Sequence, residues 1–316
     1  MNITVLDGYA LNPGDNPWDK VSKLGTFVCH DRTPAELIVE RAKNAEIVLT
    51  NKTPLSADTL ARLPKLKFVS VLATGYNVVD IKAAKARGVV VSNVPTYATD
   101  AVAEYVFALL LNFYRQPQLH SELIKHGEWP RREWTFWNTP LTELAGLTIG
   151  IVGFGRIGRR VGEIAAAFKM RVLANDVFRG NPPSYPFAWR DVPELFAESD
   201  VVTLHCNLTP ENTGMVDKTL LARMKPTAYL INTSRGPLVK DADLAEALSK
   251  GKLGGAALDV VTTEPILPDN PLLKAPHITI TPHIAWAALA ARRRLMDVTA
   301  ENVAAFLAGK PVNVVN

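Results

Sequence analysis

Cysteine is scarce, with two in 316 residues. Cys29 and Cys206 lie far apart and match no metal-ligand spacing, which excludes a disulfide scaffold and a cysteine-built metal centre. Long hydrophobic runs are missing as well. The greasiest stretch, residues 101–113, is broken by Glu104 and Asn112 and is too short to span a bilayer, so no membrane partner is expected. The start, MNITVLDG, lacks the basic residues and long apolar run of a secretory signal, and a reducing cytoplasm is the expected location. Nineteen glycines and 22 prolines are too few for a fibrous or low-complexity chain. Neither sign of charge dominates: 35 basic residues against 31 acidic ones leave +4, which suits small anionic ligands and is too diffuse for nucleic acid. The short runs Arg131-Arg132 and Arg292-Arg293-Arg294 are expected on exposed faces, with no groove-reading motif beside them.

What is present is ordinary globular material, 47% hydrophobic and 21% charged, and the length points to two domains. Short β-branched runs alternate with helical patterns, the signature of parallel α/β architecture. The first series of strands is expected at 3–6, 26–29, 47–50, 68–72 and 89–92, followed by one long apolar helix over 99–119. A tryptophan-rich stretch, 127–142, carries Trp129, Trp134 and Trp137. A second series is expected at 148–152, 171–175, 201–205, 228–232, 256–259 and 278–281. These runs are apolar on both faces, as strands covered on both sides by helices require. A last amphipathic helix spans 287–307. The expectation is two Rossmann-like, doubly wound parallel-sheet domains with a cleft between them. One is discontinuous, 1–97 with 285–316, and the other covers 98–284.

The segment 148–158 carries Gly153-x-Gly155-x-x-Gly158 between a buried-type strand and a helical pattern. Gly153 permits the tight turn, Gly155 lets the backbone approach a pyrophosphate, and Gly158 lets the helix pack on the strand. The helix N-terminus offers its free N–H groups to the phosphates. The next strand ends at Asp176, 18 residues beyond Gly158, where a carboxylate can accept both ribose hydroxyls and would repel a 2′-phosphate. NAD is therefore expected and NADP disfavoured, although Arg179 nearby softens the preference.

Three residues follow three different strands of the second series: Arg235 in Asn232-Thr-Ser-Arg-Gly236, Glu264 in Asp259-Val-Val-Thr-Thr-Glu264, and His283 in Thr281-Pro-His283. Alone, each reads as a surface ion pair, a loop acid or a structural histidine. Together, at the carboxyl ends of one sheet, they supply a guanidinium fork for a carboxylate, an imidazole for proton transfer and an acid to orient it. Reduction of a 2-keto acid needs that set, with the cofactor carrying the hydride chemistry.

Across nearly the whole chain these motifs resemble the D-isomer-specific 2-hydroxyacid dehydrogenases. The carriers are Gly153-Phe-Gly-Arg-Ile-Gly158, Asn232-Thr-Ser-Arg-Gly236, Leu258-Asp-Val leading to Glu264-Pro265, and Pro282-His283, with Arg, Glu and His separated by 29 and 19 residues. The resemblance implies that Arg235 binds substrate, that His283 is the acid/base, and that Glu264 is its partner. It implies a cofactor surface made of Gly153, Phe154, Gly155, Arg156, Ile157, Gly158, Asp176, His205, Cys206, Asn207, Thr213, Thr233, Ser234, Arg235, Asp259 and His283. Asn207 stands where the family often has proline. In the first domain, Leu72-Ala-Thr-Gly-Tyr-Asn is similar to the family's substrate-carboxylate loop. Ala73, Thr74 and Gly75 would face the carboxylate, with Asn51, Lys52 and Trp286 also at the substrate.

The resemblance makes 1–97 with 285–316 the substrate domain and 98–284 the NAD-binding domain. Its arm, about 98–146, implies a two-fold homodimer. The tryptophans there read equally as internal packing. Glu264, rather than glutamine, speaks against formate dehydrogenase-like chemistry. Residues 50–55, 72–75 and 283–286 look most like glycerate dehydrogenases, also called hydroxypyruvate reductases, which act on hydroxypyruvate and often glyoxylate. A D-lactate-type or broader 2-ketoacid reductase is the alternative enzyme. An NAD-sensing module similar to the C-terminal binding protein corepressors is a further alternative.

Overall fold

The structure, a computed structural model, describes residues 1–132 and 134–316; Glu133, inside the tryptophan-rich stretch, lies outside the described residues. The chain divides into two compact units, Met1–Ala98 with Trp286–Asn316, and Thr99–Ala285.

The first unit is built on five parallel strands, β1 (Asn2–Val5), β2 (Thr26–Cys29), β3 (Ile47–Thr50), β4 (Phe68–Val71) and β5 (Val90–Ser92), in the order β2-β1-β3-β4-β5. The central strands β3 and β4 are buried at every residue, while the edge strand β2 alternates, as its single covered face dictates. Leu6, Val48, Leu60, Val69 and Val91 form one core face. On the other face the closing helix Leu289–Leu307 lays Phe306 flat on Phe68, ring centroids 4.5 Å apart.

The second unit has seven parallel strands, β6 (Thr148–Val152), β7 (Arg171–Asn175), β8 (Ala188–Trp189), β9 (Val201–Leu204), β10 (Tyr229–Asn232), β11 (Gly255–Leu258) and β12 (Ile278–Ile280), in the order β12-β11-β10-β9-β6-β7-β8. The direction of winding reverses beside β6, which makes its carboxyl end a topological switch point. One face is covered by the Thr99–Arg115 helix through Phe107 and Leu110, which share a core with Ile149, Ile151 and Ile231. Leu195, Phe196, Leu244 and Leu248 belong to the core on the other face.

Three sequence expectations need correction. The helix expected over 99–119 stops at Arg115. Gln116 is left-handed at φ 43° and a second helix, Pro117–Lys125, starts on the proline, whose ring and missing N–H forbid a continuous helix. Internal packing does not account for the tryptophans, since Trp134 is 93% exposed and Trp129 and Trp137 are exposed beside it. Arg292 is buried rather than exposed. Its guanidinium grips Asp15 through two bonds of 2.5 and 2.7 Å and also donates to the Leu11 and Ala287 carbonyls. Arg293 and Arg294 are exposed as expected, although Arg294 also donates to the Tyr97 carbonyl.

The Arg292 guanidinium holds the Asp15 carboxyl below its ordinary value, chiefly by hydrogen bonding. A depressed folded-state pKa stabilises above the ordinary carboxylate value and loses that contribution as pH falls through the folded one. Asp15→Asn should therefore be less stable than the parent at about pH 6, with the gap closing towards pH 3, in urea titrations. Arg292→Ala, which removes the buried guanidinium's bonds to Asp15 and to the Leu11 and Ala287 carbonyls, should cost about 1–3 kcal/mol.

Candidate active site

Backbone geometry builds the first part of the site. Gly153 leaves β6 at φ 92°, a conformation that side chains oppose, and a Cβ there would sit 2.2 Å from the Cys206 nitrogen. A Cβ on Gly158 would lie 2.1 Å from the Gly153 carbonyl oxygen. Gly155, the N-cap of the Arg156–Ala167 helix, has open space where its Cβ would be. Two glycines are thus demanded by the protein itself. The third keeps clear a space in front of a helix N-terminus where a pyrophosphate fits. Arg156 and Ile157 start that helix, and Phe154 is buried beneath the turn.

Asp176 follows β7 and is locked in place. One carboxylate oxygen accepts from Phe154 N at 2.6 Å and the other from Phe178 N at 2.9 Å, so the acid is tied to the glycine turn itself. Arg159 clamps the same region from below, donating to the carbonyls of Phe154, Gly180 and Asn181. Arg179 does not lie against Asp176. Its guanidinium stacks 5.3 Å over the Trp189 ring.

The loops after β9 and β10 are sewn together. Ser234 Oγ donates to the Cys206 carbonyl at 2.6 Å, and Asn232 holds Ser234 N and the Arg235 carbonyl with its amide. Burial keeps the His205 imidazole well below its ordinary pKa, hence neutral, with Nε2 2.9 Å from Thr203 Oγ1. Burial also pushes the Cys206 thiol up to about 11, with the Asp176 charge adding to it. Asn207 accepts from the Asn212 amide, which shapes the turn leading to Thr213. The buried Thr233 hydroxyl has no hydrogen-bond partner among the described residues.

Arg235, Glu264 and His283 stand in the loops that follow β10, β11 and β12. Arg235 is half-buried, and its one hydrogen bond among the described residues is to the Ser234 carbonyl at 2.8 Å; no ion pair to it is present among them. His283 Nδ1 lies 2.7 Å from Glu264 Oε2, both side chains being half-buried. His283 is held at φ 56° by its loop. The fastening is Asp259, 1% exposed at the end of β11. Its carboxylate accepts from Thr281 Oγ1 at 2.6 Å and from Ile284 N and Ala285 N at 2.8 Å, while its carbonyl takes His283 N. Asp259 thus encloses the histidine on both sides.

In the first unit, Asn51 and Lys52 follow β3 and their backbone N–H groups bond the carboxylate of Asp7, which follows β1. The N–H groups of Ala73, Thr74 and Gly75, after β4, donate to no protein group among the described residues. Trp286 lies edge-on to Tyr97, centroids 6.1 Å apart.

The family model for the D-isomer specific 2-hydroxyacid dehydrogenase NAD binding domain matches residues 107–285. The hydroxypyruvate reductase of Blautia hydrogenotrophica is 47% identical over the full length of both chains. The chain belongs to the D-isomer specific 2-hydroxyacid dehydrogenases. The glycerate dehydrogenase of Methylorubrum extorquens is 43% identical, covering 90% of this chain and 89% of its own. Among solved structures, an acyclic imino acid reductase (Bsp5) in complex with NADPH and D-Arg aligns over 100% of both chains with a TM-score of 0.87 and 32% identity. This dehydrogenase uses NAD(H), and the open space over Gly155 with the fixed Asp176 fits that dinucleotide.

Two residues of the site were not marked by sequence reasoning. Asp7 had a signal, an acid ending a buried strand run in Leu6-Asp7-Gly8, but its donors lie 44 to 46 residues away. Arg159 reads as one more helix arginine until residues 180–181 fold over it.

The glycine geometry yields a dissociable pair of outcomes. Gly155→Ala should keep a melting temperature near the parent's and weaken NADH binding about tenfold, roughly 1.4 kcal/mol, by fluorescence titration. Gly153→Ala and Gly158→Ala should lower the melting temperature itself, because their methyl groups meet backbone atoms. Parental NADH affinity in Gly155→Ala would contradict the assignment of that space.

Proposed function

We propose that this dehydrogenase reduces a small 2-keto acid, hydroxypyruvate or glyoxylate, to D-glycerate or glycolate at the expense of NADH. Arg235 carries the reading. A half-buried guanidinium at a strand's carboxyl end, without a carboxylate partner among the described residues, is a receptor for an anion supplied from outside. The likeness to a hydroxypyruvate reductase and a glycerate dehydrogenase supports the choice of acid.

NADH, when bound, supplies the hydride that reduces the keto carbon. In this reading Arg235 holds the substrate's carboxylate and polarises its carbonyl, and the amides of Ala73, Thr74 and Gly75 take the carboxylate as well. Asn51, Lys52 and Trp286 also contact the substrate. Glu264, on Nδ1, fixes the tautomer and ring orientation of His283, so that Nε2 is the nitrogen that passes a proton to the carbonyl oxygen. Asp259 keeps the loop of His283 in place. Asp176 takes the adenosine ribose hydroxyls with the lone pairs left by Phe154 N and Phe178 N, and Arg179, drawn to Trp189, offers a 2′-phosphate little. His205, Cys206, Asn207, Thr213, Thr233 and Ser234 complete the cofactor surface. We further propose a two-fold homodimer, supported by the exposed apolar groups Trp129, Trp134, Trp137 and Leu141. A cytoplasmic location is supported by two unpaired cysteines and by the lack, among the described residues, of a helix able to cross a membrane.

Turnover of hydroxypyruvate, glyoxylate and pyruvate with NADH and NADPH, read as loss of reduced-cofactor absorbance, tests the whole. His283→Ala and Arg235→Ala should each lower kcat/KM by about 10²-fold or more while NADH affinity stays within about twofold. Glu264→Gln should keep the hydrogen bond, lose the charge, and fall about tenfold. Full turnover in His283→Ala would refute the assignment. Asp176→Ala should narrow the preference for NADH over NADPH by about tenfold or more, mostly through the KM for the cofactor.

A further inference from the structure

We propose that Asp7 is a positioning residue for keto-acid binding, setting the direction of the backbone amide that begins the 73–75 loop. The proposal rests on the reading that this loop takes the substrate's carboxylate.

Asp7 is 8% exposed, and among the described residues every hydrogen bond to its carboxylate comes from residues 50–53, the last residue of β3 and the turn after it. Oδ1 accepts from Asn51 N at 2.8 Å. Oδ2 accepts from Lys52 N at 2.5 Å, Thr53 N at 2.7 Å and Thr53 Oγ1 at 3.1 Å, with Thr50 Oγ1 at 3.4 Å. Three successive amides aimed at one carboxylate fix the path of the turn. The turn in its place presents the Asn51 side chain, 4% exposed, whose Nδ2 donates to the Leu72 carbonyl at 2.5 Å. Asn51 Oδ1 has no partner among the described residues, so that one donor bond sets how the amide faces.

A peptide unit is planar, and its C=O and the following N–H point in opposite directions. Anchoring the Leu72 carbonyl therefore aims the Ala73 N–H. The next two units are anchored in the same way. Val94 N donates to the Ala73 carbonyl at 3.0 Å, which aims the Thr74 N–H, and Asn93 Nδ2 donates to the Thr74 carbonyl at 2.7 Å, which aims the Gly75 N–H. All three carbonyls are bonded, and all three opposing N–H groups lack a protein acceptor among the described residues. Asp7 governs the first unit through Asn51, and Asn93 governs the third directly.

Steady-state kinetics of Asp7→Asn and Asn93→Ala test this, at a temperature well below each variant's melting point and with NADH affinity measured alongside. A merely structural aspartate would reduce the active fraction, and hence the apparent kcat, and leave KM alone. Asp7→Asn turns an acceptor into a donor facing donors. It should raise the keto-acid KM about tenfold to 100-fold, with NADH affinity within about twofold of the parent. Asp7→Asn with a parental KM, while Asn93→Ala raises it, would overturn the role of Asp7 alone. Parental KM in both would overturn the carboxylate reading of the loop and this proposal with it. If Asp7→Asn yields no folded protein, Thr53→Val, which removes one donor and spares the carboxylate, should raise KM about threefold, and Thr53→Ser should restore it. A parental KM in Thr53→Val would count against Asp7 in the same way.

Discussion

Parallel strands end in loops whose N–H groups have no neighbouring strand to pair with, and here those groups are met by aspartates. Asp7 follows β1, Asp176 follows β7 and Asp259 ends β11, and each accepts backbone N–H groups from a loop that belongs to another part of the chain. A charged acceptor makes a shorter and stronger bond than a neutral one, and an N–H left unpaired in a half-buried loop costs about 1–3 kcal/mol. Rigid loops at the carboxyl ends of both sheets follow from this. The catalytic candidates sit on them as passengers: His283 on the loop Asp259 holds, the glycine turn on Asp176, and Asn51 and Lys52 on Asp7.

That arrangement explains what could be read from the residues and what could not. The glycine fingerprint was legible because each position answers a local demand, the turn at Gly153, the clear space at Gly155, the close packing at Gly158. The longer strands were legible because burial on both faces leaves nearly continuous apolar runs such as Val201–Leu204 and Tyr229–Asn232, whereas the two-residue edge strand Ala188–Trp189 was not expected. Arg235, Glu264 and His283 were legible as residue types in the right loops. The 2.7 Å bond between the last two depends on how the chain after β11 returns to the loop after β12, which only the fold supplies. Asp7 and Arg292 were missed for one reason: what each binds lies far along the chain, Asp7 on residues 51–53 and Arg292 on Asp15, 277 residues away. Pro117 is a different case. It is a local signal that outweighs the apolar pattern on either side of it, and the helix breaks there.

The ionisable groups divide by function. Cys206 and His205 border the glycine turn, and burial holds the first protonated and the second uncharged, so neither places a charge beside the dinucleotide. The charge that matters there is Asp176, whose oxygens are already half engaged. That is how an acid can face a ribose without swinging away when a phosphate-bearing cofactor approaches. Arg179, the cation that sequence reasoning set against that preference, is drawn onto the Trp189 ring instead. In the proposed reading, selectivity between the two dinucleotides would rest on a fixed acid and a diverted base.

Arg235 shows the opposite choice. Several shielded cations elsewhere are paired with acids, Arg292 with Asp15, Arg190 with Glu198 and Lys225 with Asp200, and half-buried Arg159 is met by three carbonyls, whereas Arg235 has a single carbonyl among the described residues. Taking a guanidinium partly out of water without a counter-charge is costly, and the cost is recovered only when an anion arrives. In the proposed role, a small carboxylic acid would bring that anion and complete the ion pair. The same anion would bring an adjacent carbonyl within reach of the same guanidinium, whose pull on the oxygen would grow as negative charge develops there. An internal carboxylate partner would have stabilised the fold and removed both effects. The lack of an acid partner for Arg235 among the described residues is what the proposed role in binding a 2-keto acid would account for.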